Sequence, residues 1–385
     1  MNRRQILRVL GGGTIVAAVA PMAACSSDMP AEAVAAWVPA PFNGDLRRYV
    51  LSHAILAPHS HNLQSWIVDL SEPDTIVLHL DLTRLLPQTD PFGRQMVMSQ
   101  GTFVELLDMA AREQGHRADV EVFPAGEFDA SGPDSRPTAR IRLVQDDTVR
   151  PDPLFAHIFN RRTNREAYEA TPPSATAMER IRGATAGLPI ATGFTDPANS
   201  AQLQAHRQIA KDAWKIEVTT PRTLLESYRL MRVGPTEIAE HRDGISNNEP
   251  MLRALSGLGL FDRSQAPDPD SYAVKSQLDD FNSKMDATPG FYWMVTKDNT
   301  RSTQFMAGRA YVRAQLAATA TGLSMQPLQQ ALQEYPEQKG PFNAMRDLLG
   351  LRQPSHTIQM WTRLGKGPII GPAPRRGVDA HVQRT

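Results

Sequence analysis

Apolar and polar positions follow two different rhythms along this chain. Strand-like runs over 66–70, 75–81, 138–145 and 357–363 predict strands, with further strands near 118–123 and 291–296. Helical spacing predicts helices over 45–56, 93–115, 174–186, 197–217, 221–231, 270–286 and 339–349, and a long helical segment that contains 308–321 and ends at Gly322. A Gly/Pro/Asp/Ser-rich stretch at 124–137 reads as a surface excursion, and Pro151-Asp152-Pro153 marks the main boundary. The expected fold class is α+β.

An internal repeat overlies this pattern. Arg94 stands seven residues before Gly101, and Gly115 closes that helix fourteen residues later. Arg301, Gly308 and Gly322 repeat the spacing. Asp90 and Asp298 precede the two helices, which carry Leu and Ala at helical spacing. Glycine is a common helix stop, so two unrelated amphipathic helices remain an alternative. A true repeat implies two related lobes in one chain, 45–150 and 151–385, with a cleft between them.

Composition narrows the function. Lys+Arg and Asp+Glu both number 41, so net charge is zero and a dedicated nucleic-acid binder is not expected. The single cysteine, Cys25, excludes an intramolecular disulfide and cysteine-rich metal sites. The leader has a basic start with Arg3-Arg4 and a weakly apolar run to Ala24, too short for a membrane span. It resembles a twin-arginine export signal over 1–24, and Met22-Ala23-Ala24-Cys25 resembles a lipobox. The expectation is an exported, periplasmic protein, membrane-anchored where Cys25 carries lipid, with 25–44 as a tether.

Candidate chemistry concentrates in Ala57-Pro58-His59-Ser60-His61-Asn62-Leu63-Gln64-Ser65-Trp66, a polar loop between a helix and a strand. Ser60, Asn62 and Gln64 offer donors and acceptors to a planar heterocycle. Arg161, Arg162, Thr163 and Arg165 form a basic turn suited to a phosphate group. Pro327, Leu328, Gln329 and Gln330 follow the glycine-closed helix, and Arg375 and Arg376 lie in a Pro-rich tail. His59 and His61, with His53 or His79, are a weak zinc pattern. Solvated basic turns, loop capping and a plain helix restart are the bland readings of the same residues.

The 57–66 segment resembles the flavin-contacting loop of the nitroreductase superfamily. Arg161-Arg162-Thr163-Asn164-Arg165 is similar to that superfamily's phosphate motif, and Gly322-Leu323-Ser324-Met325-Gln326-Pro327-Leu328 to its turn beside the flavin. The motif order and the tail Pro372-Ala373-Pro374-Arg375-Arg376 resemble the Acg-type branch, in which two nitroreductase-like lobes are fused. His59 and Ser65 depart from the usual serine and proline. The resemblance implies FMN as cofactor, held by Ser60, Asn62, Gln64, Arg161, Arg162, Thr163, Arg165, Pro327, Leu328, Gln329, Gln330, Arg375 and Arg376, with the flavin rather than a side chain carrying the chemistry. It further implies a small-molecule electron donor, an electron-poor acceptor of nitroaromatic or quinone type, a monomer whose fused lobes replace a dimer, and a lid around 221–290. Two alternatives stay open: a non-enzymatic protein that sequesters flavin under that lid, and a periplasmic metal-dependent hydrolase built on His59 and His61.

Overall fold

The computed structural model describes residues 28–383, so the expected export signal over 1–24 and Cys25 lie outside the described residues. The chain builds two four-stranded antiparallel sheets of identical order. The first holds β1 (Trp66–Asp69), β2 (Thr75–Leu80), β3 (His116–Val122) and β4 (Ala139–Gln145), ordered β1-β2-β4-β3. The second holds β5 (Ala191–Phe194), β8 (Phe291–Thr296), β9 (Ser324–Pro327) and β10 (Thr357–Gly365), ordered β5-β8-β10-β9. A short parallel pair, β6 (Met231–Val233) with β7 (Ile245–Asn247), stands apart from both. Helices α1 (Leu46–Ala54) and α2 (Arg94–Glu113) serve the first sheet, and α3 (Ala175–Gly183) and α9 (Arg301–Ala320) the second. In each half the central helix, α2 or α9, follows the second strand in sheet order and precedes the last two.

The repeat read from glycine spacing is structural. A Cβ on Gly101 of α2 would lie 2.0 Å from Phe305 O of α9, and a Cβ on Gly308 of α9 would lie 1.9 Å from Met98 O of α2. Met98 and Phe305 each stand three residues before the corresponding glycine. The two central helices thus cross backbone to backbone at an approximate two-fold axis, which only residues without a side chain allow. The arginines that open them are exchanged across the same axis. Arg94 donates to Gln359 O (2.9 Å) and Leu332 O (2.8 Å) of the second half. Arg301 donates to Asp129 O (2.7 Å) of the first. Both are buried, where a guanidinium is tolerated because carbonyls absorb its donors.

Local chemistry sets the helix starts. Asp90 accepts from the backbone N–H groups of Gln95 and Met96 (both 3.1 Å), and Thr300 caps α9 by accepting from Thr303 N (3.2 Å). Trp66 is fully buried and donates to Ser99 O (3.1 Å), so it belongs to the core.

Three features depart from the sequence expectation. Residues 195–290, between β5 and β8, form a helical roof of α4 (Ser200–Thr219), α5 (Pro221–Arg229), α6 (Gly234–His241), α7 (Pro250–Gly257) and α8 (Tyr272–Asp286). It starts well before 221, and α6, α7, β5, β6, β7 and β9 escape sequence reading because each is only three to eight residues long. Within the roof, Asp243 is buried and ion-paired to Arg84 (2.5 Å) and Arg232 (2.9 Å). Nor does a boundary at 151 divide the chain cleanly. The tail returns to the first sheet, where Val68 N donates to His381 O and Gln383 N to Val68 O (both 2.8 Å). Much of the segment taken as a tether is docked: Ala33 is buried and its carbonyl accepts from Arg375 N (2.9 Å), while Trp37 Nε1 donates to Ala373 O (2.7 Å).

Candidate functional site

A cavity of about 480 Å³ lies between the two halves and under the roof, within the range usual for small-molecule sites. Its floor comes from the 57–61 loop, one face of α2, the Thr163–Arg165 turn and the Gln326–Gln330 turn.

The 57–65 loop is strained on purpose. His61 (φ 48°), Asn62 (φ 54°) and Gln64 (φ 54°) all take the left-handed conformation, which costs non-glycine residues. Specific partners hold it there. Ser65 N donates to His59 Nε2 (3.1 Å), which fixes the proton of that ring on Nδ1, whence it donates to Ser60 O (2.8 Å). The ring also packs edge-on against Trp66. Both nitrogens of His59 are therefore spent on the backbone, and burial pushes its pKa down to about 3. The departure at His59 is a loop brace, not a ligand to metal or flavin. His53 Nδ1 and His79 Nδ1 likewise pair with the carbonyls of Tyr49 and Ser135, and no cluster of three metal-binding side chains occurs among the described residues. His59 thus offers no free ring nitrogen to a metal ion.

The expected site residues divide into two groups. Ser60, Thr163, Arg165, Pro327, Gln329 and Gln330 line the cavity. Leu328 is buried beside it, with its N–H committed to Trp361 O (2.8 Å). The remaining six do not line it, and their polar atoms build the protein instead. Asn62 donates to Pro374 O (3.0 Å) and accepts from Arg375, while Gln64 donates to Arg242 O (2.9 Å) and accepts from Arg376 N (2.9 Å). The two amides thus clamp the tail onto the loop. Arg161 donates to Leu56 O (2.9 Å) and Gln315 Oε1 (3.1 Å), Arg162 to Phe159 O (2.8 Å), and Arg375 to Ala57 O (3.1 Å). Arg376 donates to Gln64 O (2.5 Å).

Arg161, Arg162 and Arg375 converge on Trp37, with guanidinium carbons 5.7, 4.5 and 5.4 Å from the indole centroid. Burial, with mutual repulsion, pushes the Arg161 pKa down to about 10. The π-face of Trp37 offsets part of that repulsion. Trp37→Ala is expected to destabilise the fold by about 3 kcal/mol, read as a lower midpoint in chemical denaturation.

Arg165 stands apart. Asn164 anchors the turn from one side by donating to Pro368 O (2.8 Å), and Arg363 from the other by donating to Glu166 O (2.7 Å). The Arg165 side chain keeps accessible surface, yet burial lowers its pKa. The two observations agree if that surface faces the cavity rather than bulk water. No hydrogen bond or ion pair engages its guanidinium among the described residues. Next to it, burial and then Arg165 lower the His61 pKa to about 4, so His61 is neutral.

Sequence reasoning missed several cavity-wall residues. Gln95, Ser99 and Thr102 come from α2, Tyr311 from α9, and Trp214 and Glu217 from α4. Six wall residues each keep a buried polar atom without a partner: Gln95 Nε2, Trp214 Nε1, Glu217 Oε2, Tyr311 Oη, Gln329 Oε1 and Gln333 Oε1. Buried polar atoms are normally satisfied, and these six are available to a ligand in the cavity. Both donors and acceptors occur among them, and the Arg165 guanidinium lines the same cavity. The set fits a planar heterocycle bearing amide-like edges together with an anionic group.

Burial raises the Glu217 carboxyl to about 7, and Glu226 adds to the shift, while the Gln333 and Gln330 amides oppose it. Tyr335 also faces it. A folded pKa above the unfolded one makes this group's contribution to stability complete below about pH 4.5 and lost as pH rises through about 7. Glu217→Gln is therefore expected to gain stability relative to wild type as pH rises from 5 to 8, measured as the difference between the two unfolding midpoints.

No family model matches this sequence. Two relatives from Mycobacterium tuberculosis, strains CDC 1551 and H37Rv, each provisionally named an NAD(P)H nitroreductase, are 25% identical to it over 355 residues, spanning 87% of this chain and 90% of theirs. Among solved structures, it is similar to the FMN-dependent nitroreductase of Mycobacterium smegmatis in complex with NADPH (16% identity, 60% of this chain, 96% of that one, TM-score 0.38). It is also similar to the FMN- and NADPH-dependent nitroreductase of sphigopyxis sp. strain HMH (16% identity, 60% of this chain, 98% of that one, TM-score 0.39).

Proposed function

We propose that this chain, which belongs to the nitroreductase superfamily, binds FMN in the cavity between its two halves and passes electrons from a small-molecule donor to an electron-poor aromatic acceptor. The observation that carries the reading is the ring of orphaned polar atoms around a cavity that also holds the unpaired Arg165 guanidinium. Bound there, FMN would supply hydride chemistry, and the protein would supply position and polarity. Arg165 would neutralise an anionic part of the cofactor. The Gln95 and Gln329 amides would meet its heterocycle edge, and the braced 57–61 loop would hold Ser60 and Pro58 against it. The roof would limit the access of water to the reacting face.

A second reading has its own support. The roof is pinned rather than loose: Glu226 accepts from Gln88 N (2.8 Å) and from Thr89 N (2.9 Å) and Oγ1 (2.6 Å), and Asp243 is doubly ion-paired. A roof held this way favours a protein that sequesters flavin. Anaerobic mixing of the FMN-loaded protein with reduced nicotinamide separates the two. Bleaching of the oxidised flavin band within seconds to minutes is expected for the oxidoreductase, whereas a band stable for hours selects sequestration. The twin-arginine signal and a lipid at Cys25 are part of the same proposal, and both are tested by fractionating cells that express the full chain and its Arg3→Lys, Arg4→Lys and Cys25→Ala variants.

A further inference from the structure

The cavity has two chemically different halves. The floor is polar and carries Arg165. The roof side presents Trp214, Leu224, Tyr228, Phe281 and Met285, an apolar and largely aromatic wall contributed by α4, α5 and α8. Two carboxyls interrupt that wall, the exposed Asp280 and the buried Glu217. Glu217 is only 4% exposed, and its Oε2 has no partner in the protein although the residue lines the cavity. Thr223 Oγ1 donates to the Glu217 backbone carbonyl (2.8 Å), which ties the end of α4 to the start of α5 and holds the residue in place. Among the described residues no lysine or arginine pairs with Glu217, and the two other charged roof residues in the wall, Asp280 and Lys284, pair with each other (2.9 Å). A carboxylate so placed has only the Gln330 and Gln333 amides to compensate its buried charge; a carboxylic acid would offer a hydrogen-bond donor to the cavity.

We propose that the roof half of the cavity is a subsite for a flat, uncharged aromatic ring bearing an exocyclic oxygen acceptor, quinone carbonyl or nitro, and that protonated Glu217 donates a hydrogen bond to that oxygen. The proposal deepens the oxidoreductase reading and rests on it for what the ring stacks against. Aromatic walls favour a flat ring through burial and offset stacking. The buried donor adds selectivity, because a ligand without an acceptor oxygen leaves it unsatisfied. The protonated form of Glu217 is already well populated near neutral pH, since burial raises its pKa to about 7. Ligand affinity should then fall as pH rises through that value, because each ligand bound requires the proton.

The test is equilibrium binding of 2-methyl-1,4-naphthoquinone, and in a parallel arm nitrobenzene, to the oxidised full-length protein, with no electron donor present. Wild type is expected to bind about tenfold more weakly at pH 8 than at pH 6. Glu217→Gln keeps an N–H donor and no titrating proton, so it should bind with the same affinity at both pH values. Glu217→Leu should bind weakly at both. Wild-type affinity that does not change between pH 6 and pH 8, or a Glu217→Gln variant that keeps the tenfold fall, overturns the proposal. Binding of one probe and not the other identifies which oxygen chemistry the subsite takes. Flavin content is read from the visible absorbance of the same samples. Protein without flavin that still shows the Glu217-dependent profile would support the subsite while contradicting the proposed function, and flavin-loaded protein without the profile would do the reverse.

Discussion

Arg165→Ala is expected to weaken FMN binding by about 10- to 100-fold while leaving the fold intact. A charge-assisted hydrogen bond to an ionised group contributes about 1.5–3 kcal/mol, and Arg165 is the cavity-lining guanidinium with no protein partner to lose. Removing a cation whose pKa is lowered by burial also relieves a cost in the empty protein, so the unfolding midpoint of the flavin-free variant should match or exceed that of flavin-free wild type. Arg161→Ala should behave in the opposite way. It leaves Leu56 O and Gln315 Oε1 without their donor in a buried site and should cost about 2–3 kcal/mol of stability whether or not flavin is present. Flavin titration and denaturation of both variants separate the two roles. Loss of stability from Arg165→Ala with flavin affinity unchanged would reverse the assignment.

Gly308→Ala is expected to be among the most damaging single-methyl substitutions in the chain. Its Cβ would lie 1.9 Å from Met98 O, and the contacted atom is backbone, so no side chain can rotate away. The helices must separate, which opens the packing around Ala307, Ala310 and Phe305, all fully buried. Overpacking typically costs 1–3 kcal/mol when side chains can adjust; a backbone collision at a helix crossing should cost about 3 kcal/mol or more. Gly101→Ala meets the same geometry at Phe305 O and should cost about as much. Both changes also shift the α2 face that carries Gln95 and Ser99 into the cavity, so reduced flavin affinity should accompany reduced stability. A Gly308→Ala protein with wild-type denaturation behaviour would contradict the proposed axis.

The glycines explain why so much of the fold was legible in the sequence. Arg94–Gly101 and Arg301–Gly308 have the same spacing because the two helices cross at one axis, and a close crossing can be written in sequence only as a missing side chain. Strands at 75–80 and 291–296 were readable because alternation and β-branched content agree there. The roof was harder to read. Short helices such as α6 and α7 offer too few turns for a period to register, and β6 and β7 have three residues each.

The site shows the same division. Of the residues the motifs single out, Ser60, Thr163, Arg165, Pro327, Gln329 and Gln330 stand on the cavity wall, where local chain geometry places them. Asn62, Gln64, Arg161, Arg162, Arg375 and Arg376 stand off that wall, and their partners are backbone groups and amides brought in from as far as 318 residues away along the chain. Spacing within a motif carries no information about such partners. Glu217 did leave a signal that was not used. Ala210, Ala213 and Glu217 fall on one buried face of α4, so a carboxylate sits where helical spacing demands an apolar residue. A charged residue in phase with the core is a reason to expect a paired or functional group.

The most direct test of the account is the visible spectrum of the purified wild-type protein, followed by release of its chromophore with heat or acid and identification by mass. The account predicts an oxidised-flavin spectrum at about one FMN per chain, with FMN re-bound by the flavin-free protein and held less tightly by Arg165→Ala. A colourless, folded protein that takes up no FMN on titration would contradict it.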